Sequence, residues 1–335
     1  MSVSSGPSPL ALPGRERRAL YRARLRAWAP LLVLIGLCLL IDIGNPRFLT
    51  IANLVRVATA AAIPLVLALG TTFVILLGSI DLSLEGVLAV GSVLTSLLAA
   101  NDANSLSFGL AVVPVAVLAG ALIGALNGAL HVGFRIPSFM VTLGIWFAGV
   151  GLATVLLGGG TVRVLEPLVR DVALARVLDL PVLVWIALAV LLLAWVIQEY
   201  TPLGRYMYVI GGGEDIAALS GIPINRTKVA VFTLAGAFYG LGGVMAAAQL
   251  GVGNAMIGDG RLFPSVTAVV VGGTSLIGGE GGVLNSLVGV MIVTVLANGL
   301  VLLGVSPYLQ QAIQGLMIIA AVAVSIDRVR SAIVK

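Results

Sequence analysis

The sequence predicts an all-α integral membrane protein with about ten transmembrane helices. Hydrophobic residues make up 59% of the 335-residue chain and charged residues only 10%, whereas a soluble domain carries about 25% charged residues. A bilayer crossing takes about 20 apolar residues, and such runs fill nearly the whole chain, which leaves no room for a soluble catalytic domain. The predicted membrane segments are residues 29–45, 53–78, 83–100, 107–130, 137–158, 181–199, 229–250, 262–276, 283–304 and 307–326.

The first element is a basic N-terminal tail, residues 1–28, which precedes the first apolar run. Six arginines between Arg15 and Arg26 fit a cytoplasmic anchor. The alternatives are an arm that binds nucleic acid and the n-region of a signal peptide, but the run that follows lacks a small-residue cleavage site. The single cysteine, Cys38, lies in that run, so the sequence predicts no intramolecular disulfide.

The charge of the loops predicts the orientation of the transmembrane domain, residues 29–326. With a cytoplasmic N-terminus and ten crossings, 13 of the 19 basic residues are cytoplasmic and six lie outside. Cytoplasmic loops carry the excess of Lys and Arg, so we expect both termini inside, with a C-terminal tail at 327–335. The mixed charges of the outer loop 159–180 predict a solvated surface. The segment 262–276 is short and flanked by glycines, so it either spans fully or forms a re-entrant, broken helix.

Glycine recurs at helical spacing inside the predicted spans. Gly120, Gly124 and Gly128 lie four residues apart, as do Gly236 and Gly240. Small residues on one face let two helix backbones approach closely in lipid. The spacing therefore predicts helix packing, with a glycine-lined pore as the alternative.

An internal pseudo-repeat links residues 74–86 (VILLGSIDLSLEG) with residues 269–281 (VVVGGTSLIGGEG). Both stretches have an apolar run, then a glycine, then a Glu-Gly pair at the same spacing. Duplicated halves are common in transporters, and Gly-interrupted apolar segments at corresponding places point to the translocation region.

Several kinds of catalytic site are excluded by the residues present. Lys228 and Lys335 are the only lysines and neither follows a glycine, so the chain has no P-loop for ATP. His131 is the only histidine, which excludes a His-Glu-x-x-His zinc helix and leaves no base for a serine triad. We therefore expect no catalytic residue, no metal ligand and no cofactor bound to this chain.

Polar side chains within or beside the spans are the candidates for a translocation pathway. Asp81 or Ser83 either caps the third helix or has a gating role. Neutral groups suit a neutral polyhydroxyl solute better than an ion, which needs fixed charge, although each could instead make an interhelical hydrogen bond. The candidates are Asp81, Ser83, Glu85, Asn127, Thr142, Gln249, Asn254, Thr267 and Asn298, and further polar residues in the spans are Asn285, Gln310, Gln311 and Gln314.

The most informative polar stretch is the predicted cytoplasmic loop 201–228. Three glycines break the chain, Glu214 and Asp215 favour a helix N-terminus, and Gly221 and Pro223 end the helix. This pattern predicts one short helix between two spans. A helix of two turns is unstable alone, so we expect it to dock on another subunit.

The loop and three other motifs resemble the ribose-type permeases of ABC importers. The motifs are LGRYMYVIGGGEDIAALSGI at 203–222, VVVGGTSLIGGEGGVLNSLVGV at 269–290, ANGLVLLGVSPYLQQAIQGLMII at 297–319 and SIDLSLEG at 79–86. The resemblance implies a type II ABC importer-like permease in a bacterial cytoplasmic membrane. Its ATPase-coupling residues are Gly211, Gly212, Gly213, Glu214, Asp215, Ala217, Ala218, Ser220 and Gly221.

The same resemblance implies the partners of the chain. They are one or two ATP-binding subunits that hold ATP and Mg, an extracytoplasmic solute-binding protein, and a second permease chain, alike or different. The chain departs from the family pattern at Gly213 and Ala297, where asparagine is common, at 261–264, where an acidic pair is common, and after Ser83. The solute therefore stays open among a pentose, a hexose, a polyol and a nucleoside.

Two other classes of function are alternatives. An intramembrane enzyme would have only carboxylate or serine chemistry at its disposal. A channel or an ion-coupled secondary transporter would need no docking helix and often uses buried acids, for which Asp81 and Glu85 are candidates. Copurification of an ATPase subunit separates these alternatives from the permease.

Overall fold

The computed structural model describes the backbone of residues 14–333 and the side chains of residues 28–320 and 323. Residues 1–13 of the predicted N-terminal tail and 334–335 of the C-terminal tail lie outside the described residues. The described chain forms thirteen α-helices: α1 (Gly14–Gly44), α2 (Ile51–Leu76), α3 (Leu84–Leu98), α4 (Val112–Gly133), α5 (Ser138–Leu157), α6 (Pro167–Leu174), α7 (Val182–Tyr200), α8 (Pro202–Gly212), α9 (Glu214–Leu219), α10 (Ile224–Leu250), α11 (Leu262–Val271), α12 (Val283–Leu302) and α13 (Pro307–Ile333).

Each of the ten predicted segments coincides with a helix. Among the described residues, six helices are long and apolar enough to cross a membrane: α2, α4 with the 3-10 turn Gly109–Ala111 before it, α5, α7, α10 and α12. Trp28–Gly44 of α1, α3 and α11 are shorter apolar helices. Helix α1 begins at Gly14, earlier than the predicted 29, because Ala, Leu and Arg are all good helix formers.

Within residues 14–333, four short strands lie between the helices. β1 (Val162–Arg163) pairs antiparallel with β4 (Val252–Gly253), with Val162 opposite Gly253. β2 (Arg176–Val177) pairs antiparallel with β3 (Leu180–Pro181). The loop 159–180, predicted as a solvated surface, is partly folded, since Val164 and Val169 are buried there. The reason is packing: Val169, in α6, belongs to a small apolar cluster with Ala247 and Ala248.

The helices run between two ends of one bundle. At the first, the α9 end, α2, α4 and α7 finish, α10 and α12 begin, and α8 and α9 lie across them. At the second, the α6 end, α2, α4 and α7 begin, α10 finishes and β1 pairs with β4. Because α1 and α12 pack side by side and finish together, with Ile41 against Gly299, α1 begins at the α9 end.

Helix α10 lies at the centre and packs on α2, α3 and α4. The predicted glycine spacing serves this packing. A Cβ at Gly120 or Gly124 of α4 would collide with the carbonyl of Gly236 or Phe232 in α10. The prediction of helix packing is therefore confirmed at these positions, where two backbones meet without side chains between them.

Helix α11 has ten residues, a length of about 15 Å. That is about half the thickness of the hydrocarbon core. The chain returns from the α6 end through residues 251–261 before this helix begins. Of the two possibilities that the sequence left open for 262–276, the structure has the short, broken helix.

Candidate functional site

Two groups of predicted site residues are brought together by the fold. One is the α8–α9 segment, residues 202–219, at the α9 end. The other is a set of buried polar residues where α3 begins. The α8–α9 segment includes strongly exposed residues such as Ile216 and Leu219, whereas Asp81 and Glu85 of the second group are buried.

Helix α8 follows α7 directly. Thr201 is its N-cap: the Oγ1 atom accepts a hydrogen bond from the Gly204 amide at 3.4 Å and donates to the Ile197 carbonyl at 2.6 Å. Pro202 occupies the first turn, where its missing N–H is no loss. This cap turns the chain from the end of a span into a helix that crosses the bundle.

Helix α8 is docked on its own chain. Met207 and Ile210 are buried, and the Tyr208 hydroxyl donates to the Gly281 carbonyl at 2.7 Å. Burial, followed by the charge of Glu199, raises the pKa of Tyr208 above its ordinary value, so the hydroxyl keeps the proton that it donates. Gly211 lies so close to the Leu76 carbonyl that a Cβ there would collide with it.

The segment 272–282 completes this contact. The Gly279 amide donates to the Leu76 carbonyl at 2.9 Å, and Gly279 faces Gly212. The end of α2, the end of α8 and the segment that leads into α12 therefore meet at one point.

Helix α9 is short and only partly packed. Ala217 is buried, and the Ile222 amide donates to its carbonyl at 3.1 Å. Glu214 forms an ion pair with Lys228 of α10 at 2.8 Å. Ile216 and Leu219, three residues apart, are 66% and 90% exposed. The helix thus presents an apolar pair to its surroundings, held by an ion pair at its base.

The short helix predicted for this region is α9: Glu214 and Asp215 occupy its first turn, and Gly221, with φ +73°, lies beyond its end. The structure adds a second helix that was not predicted, α8, whose last turn contains Gly211 and Gly212, so that only Gly213 separates α8 from α9. Gly211 packs against the Leu76 carbonyl with no space for a side chain. Ala218 and Ser220 are exposed on α9 and just after it.

The second group surrounds the start of α3. The Asp81 carboxylate accepts hydrogen bonds from the amide and the hydroxyl of Ser83, at 2.8 and 2.6 Å, through its Oδ1 atom. The Asn127 side-chain amide donates to the Ser83 hydroxyl at 2.8 Å. All three residues are buried. Asp81, rather than Ser83, therefore takes up a free N–H ahead of α3, which agrees with a capping role.

Helix α5 holds the same segment from the other side. The Thr142 hydroxyl accepts from the Leu82 amide at 2.9 Å, and the Ser138 hydroxyl accepts from the Ile80 amide at 3.1 Å. Ser138 was not among the predicted residues. It is the first residue of α5 and makes no cap bond in its own helix, so no local helix signal reveals its contact with Ile80.

Glu85 joins α3 to the broken helix α11. It is buried, and its Oε1 atom accepts from the Leu262 amide at 2.9 Å. Leu262 is the first residue of α11, so the carboxylate lies at the positive end of that helix. Gly258 approaches so closely that a Cβ there would meet the Glu85 backbone.

The other predicted pathway residues are dispersed. Asn298 exchanges side-chain hydrogen bonds with Asn53, at 2.9 and 3.3 Å, between α12 and α2. Thr267 is buried in α11 and donates to the Phe263 carbonyl at 2.8 Å. Gln249 and Asn254 lie at the α6 end, where Asn254 forms a turn by accepting from Met256.

A second residue, besides Ser138, was not found by the sequence analysis. Gln198, near the end of α7, accepts from the Val283 amide at 2.8 Å and so caps α12. No local pattern reveals a partner 85 residues away. In the part of the chain that the structure describes, no group of three or more His, Cys, Asp or Glu side chains is placed to hold a metal ion.

The sequence of this chain is similar to those of known proteins. The profile of the family described as branched-chain amino acid transport system / permease component matches residues 53–322. The ribose import permease protein of Escherichia coli K12 is 34% identical over 312 residues, which cover 92% of this chain and 96% of the relative. That of Bacillus subtilis 168 is 33% identical over 327 residues, 96% and 98% of the two chains.

A third relative carries a different sugar in its name. The D-allose transport system permease protein of Escherichia coli K12 is 32% identical over 284 residues, which cover 85% of this chain and 86% of the relative. No solved structure shows significant similarity.

Proposed function

This chain belongs to the family of branched-chain amino acid transport system permease components, and we propose that it is the permease subunit of an ABC importer for a monosaccharide. The observation that carries the proposal is the match to a ribose import permease over 92% of this chain. Relatives named for ribose and for D-allose favour a single sugar ring over a nucleoside. ATP hydrolysis then belongs to a separate subunit, since the family is the permease component.

We propose that α9 docks on that ATPase subunit. Ile216 and Leu219 form an exposed apolar pair beside the charged Glu214 and Asp215, and an exposed apolar patch with a polar rim is typical of an interaction site. The Glu214–Lys228 ion pair at the base keeps the helix in a fixed position on α10. The proposed coupling residues 211–221 include the apolar pair Ile216 and Leu219.

Movement of α9 reaches the spans through α8. The contact of Gly211 with Leu76 and the bond from Tyr208 to Gly281 carry a displacement to the end of α2 and to the start of α12. ATP binding on the partner thereby shifts the equilibrium between inward-open and outward-open arrangements of the bundle. ATP and Mg are held by the partner.

The finer topology is ten passes of the chain, of which the eighth consists of residues 251–261 and the short helix α11, with both termini in the cytoplasm of a bacterial cell. The coincidence of the ten predicted segments with helices supports this count, and the basic loops at the α9 end support the orientation. An internal repeat other than the predicted pairing of 74–86 with 269–281 is supported by the recurrence of three elements: a long helix, a glycine at φ +77° or +74°, and a short apolar helix. They are α2, Gly78 and α3, then α10, Gly251 and α11.

The translocation pathway passes between two permease chains, along the face where α11 is broken. Glu85 accepts a hydrogen bond at the start of α11 and Thr267 lies within that helix. Asp81, Ser83, Asn127 and Thr142 hold the segment before α3 in place. An extracytoplasmic binding protein delivers the sugar at the α6 end. The second permease chain is a copy of this one or a related chain.

Copurification tests the docking of α9. The membrane complex is expressed with its neighbouring ATPase and binding-protein genes, and the ATPase subunit retained on a tagged permease is quantified. We expect Glu214→Arg with Ala218→Arg to leave the permease in the membrane and to release the ATPase. Asp171→Arg, at an exposed site in α6 at the other end of the bundle, is the control. Unchanged retention in the α9 double variant would rule out this docking site.

A further inference from the structure

A cavity of about 210 Å³ lies between α11 and α13, beside the break in α11. Phe263 and Thr267 of α11 and Gln311 and Gln314 of α13 line it. Its volume equals that of roughly seven liquid waters at about 30 Å³ each, enough for one sugar ring. Helix α11 is about half as long as the hydrocarbon core is thick, and the cavity lies beside its break. Broken helices of transporters form solute sites at such places.

The two glutamines are the unusual feature of this cavity. They lie three residues apart and therefore share one face of α13. Within the described residues neither side chain makes a hydrogen bond, whereas the neighbouring Gln310 amide donates to the Val305 carbonyl at 2.7 Å. A polar side chain left unpaired in hydrocarbon is unfavourable. These amides therefore face something that offers hydrogen bonds.

The remaining lining matches a neutral solute. The Thr267 hydroxyl donates its hydrogen bond to the Phe263 carbonyl, so its oxygen can accept a hydrogen bond from a solute. The Phe263 ring is 58% exposed and offers an apolar face to the C–H side of a sugar ring. Among the described residues that line the cavity none is charged, which disfavours an ion as the occupant.

We propose that this cavity is a contact site for the transported sugar within the pathway, with the Gln311 and Gln314 amides hydrogen-bonded to its hydroxyl groups. The inference rests on the proposed importer function and names the residues that meet the solute. Each amide both donates and accepts, as a hydroxyl does. The pair thus replaces part of the sugar's hydration while it crosses the membrane.

Cysteine labelling tests whether water and sugar reach the cavity. Cys38 is the only cysteine in the chain, so Cys38→Ser gives a background free of thiols. In that background, Gln311→Cys, Gln314→Cys and the control Leu316→Cys are reconstituted with the ATPase and the binding protein. Leu316 lies on the same helix, is 66% exposed and does not line the cavity.

We expect a charged, membrane-impermeant thiol reagent to label positions 311 and 314 and not position 316. With ribose or allose, binding protein and ATP present, labelling at 311 and 314 should slow at least threefold. Labelling of all three positions at the same rate, or a rate at 311 and 314 that sugar leaves unchanged, would overturn the contact site. No labelling at 311 and 314 would show that lipid or a second copy covers the cavity, and would overturn it as well.

Uptake separates this inference from the importer function. We expect Gln311→Leu with Gln314→Leu to lower uptake of radiolabelled sugar at least tenfold in proteoliposomes. The matched control is Gln310→Leu, which removes an amide outside the cavity. If the double variant takes up sugar like the control, the contact site fails while the importer stands. If the unaltered chain shows neither uptake nor sugar-stimulated ATP hydrolysis, the proposed function fails and the contact site with it.

Discussion

The Glu85 carboxylate in α3 accepts a hydrogen bond from the Leu262 amide, the first residue of α11, at 2.9 Å. The two residues are 177 positions apart. This bond joins the two short apolar helices α3 and α11. The free N–H groups at a helix start need acceptors, and inside a membrane no water supplies them.

Removal of the Glu85 carboxylate should therefore destabilise the protein. We expect Glu85→Ala to lower the free energy of unfolding by about 1–3 kcal/mol, because it leaves a buried N–H without a partner. Glu85→Gln keeps an acceptor and should lose less. The measurement is the thermal unfolding midpoint of the purified protein in detergent, with the exposed Asp171→Ala as control. Equal midpoints for Glu85→Ala and Asp171→Ala would contradict the capping role.

Asp81 gives a second test of buried polar groups. Its Oδ1 atom accepts from Ser83, while its Oδ2 atom and Asn127 Oδ1 have no partner in the described part of the chain. Asp81→Asn keeps the acceptor and removes a buried charge, so we expect a small change in unfolding midpoint. Asp81→Ala should cost about 1–3 kcal/mol, because the Ser83 amide loses its acceptor. An asparagine variant as unstable as the alanine variant would mean that the charge itself is required.

The close packing of α4 on α10 predicts a difference between two glycines of α4. A Cβ at Gly124 would collide with the Phe232 carbonyl, whereas a Cβ at Gly133 meets open space. We expect Gly124→Ala to cost about 1–3 kcal/mol and Gly133→Ala to leave the unfolding midpoint unchanged or slightly raised. Both midpoints are measured in detergent. Two equal midpoints would contradict the helix contact.

The end of α8 offers a similar matched pair. A Cβ at Gly211 would meet the Leu76 carbonyl, but one at Gly212 has nothing within 4 Å. We expect Gly211→Ala to detach α8 from α2, which protease digestion at 202–219 should reveal as faster cleavage. Gly212→Ala should be cleaved at the rate of the unaltered chain. Slow cleavage of Gly211→Ala would show that α8 adapts without leaving α2.

The sequence predicts the helices well and the breaks in them poorly. Apolar runs locate all ten segments because burial in lipid depends on local composition. The start of α11 at Leu262 agrees with the predicted segment 262–276, but the helix ends at Val271, before the predicted end. The acceptor of its first amide, Glu85, comes from a distant part of the chain and no local pattern reveals it. Gly211 looks like a helix breaker locally, yet it lies in the last turn of α8, where it packs against Leu76.

In the candidate sites, too, some features follow from the local sequence and others depend on contacts between distant parts of the chain. The acidic start and the glycine end of α9 follow from local helix signals, and the structure has both. The exposure of Ile216 and Leu219 depends on which face α10 covers, which the sequence does not reveal. Gln311 and Gln314 are visible as polar residues in a predicted span, but their common cavity with Thr267 requires the fold.

In the proposed function, this chain couples sugar passage to ATP hydrolysis on a partner. The most direct measurement is the ATPase rate of the reconstituted permease, ATPase and binding protein, with ribose, allose or no sugar present. We predict that one sugar raises the rate severalfold and that Ile216→Ser with Leu219→Ser, at the exposed face of α9, abolishes the increase. An ATPase rate that no sugar changes, in a complex that contains all three proteins, would contradict the account.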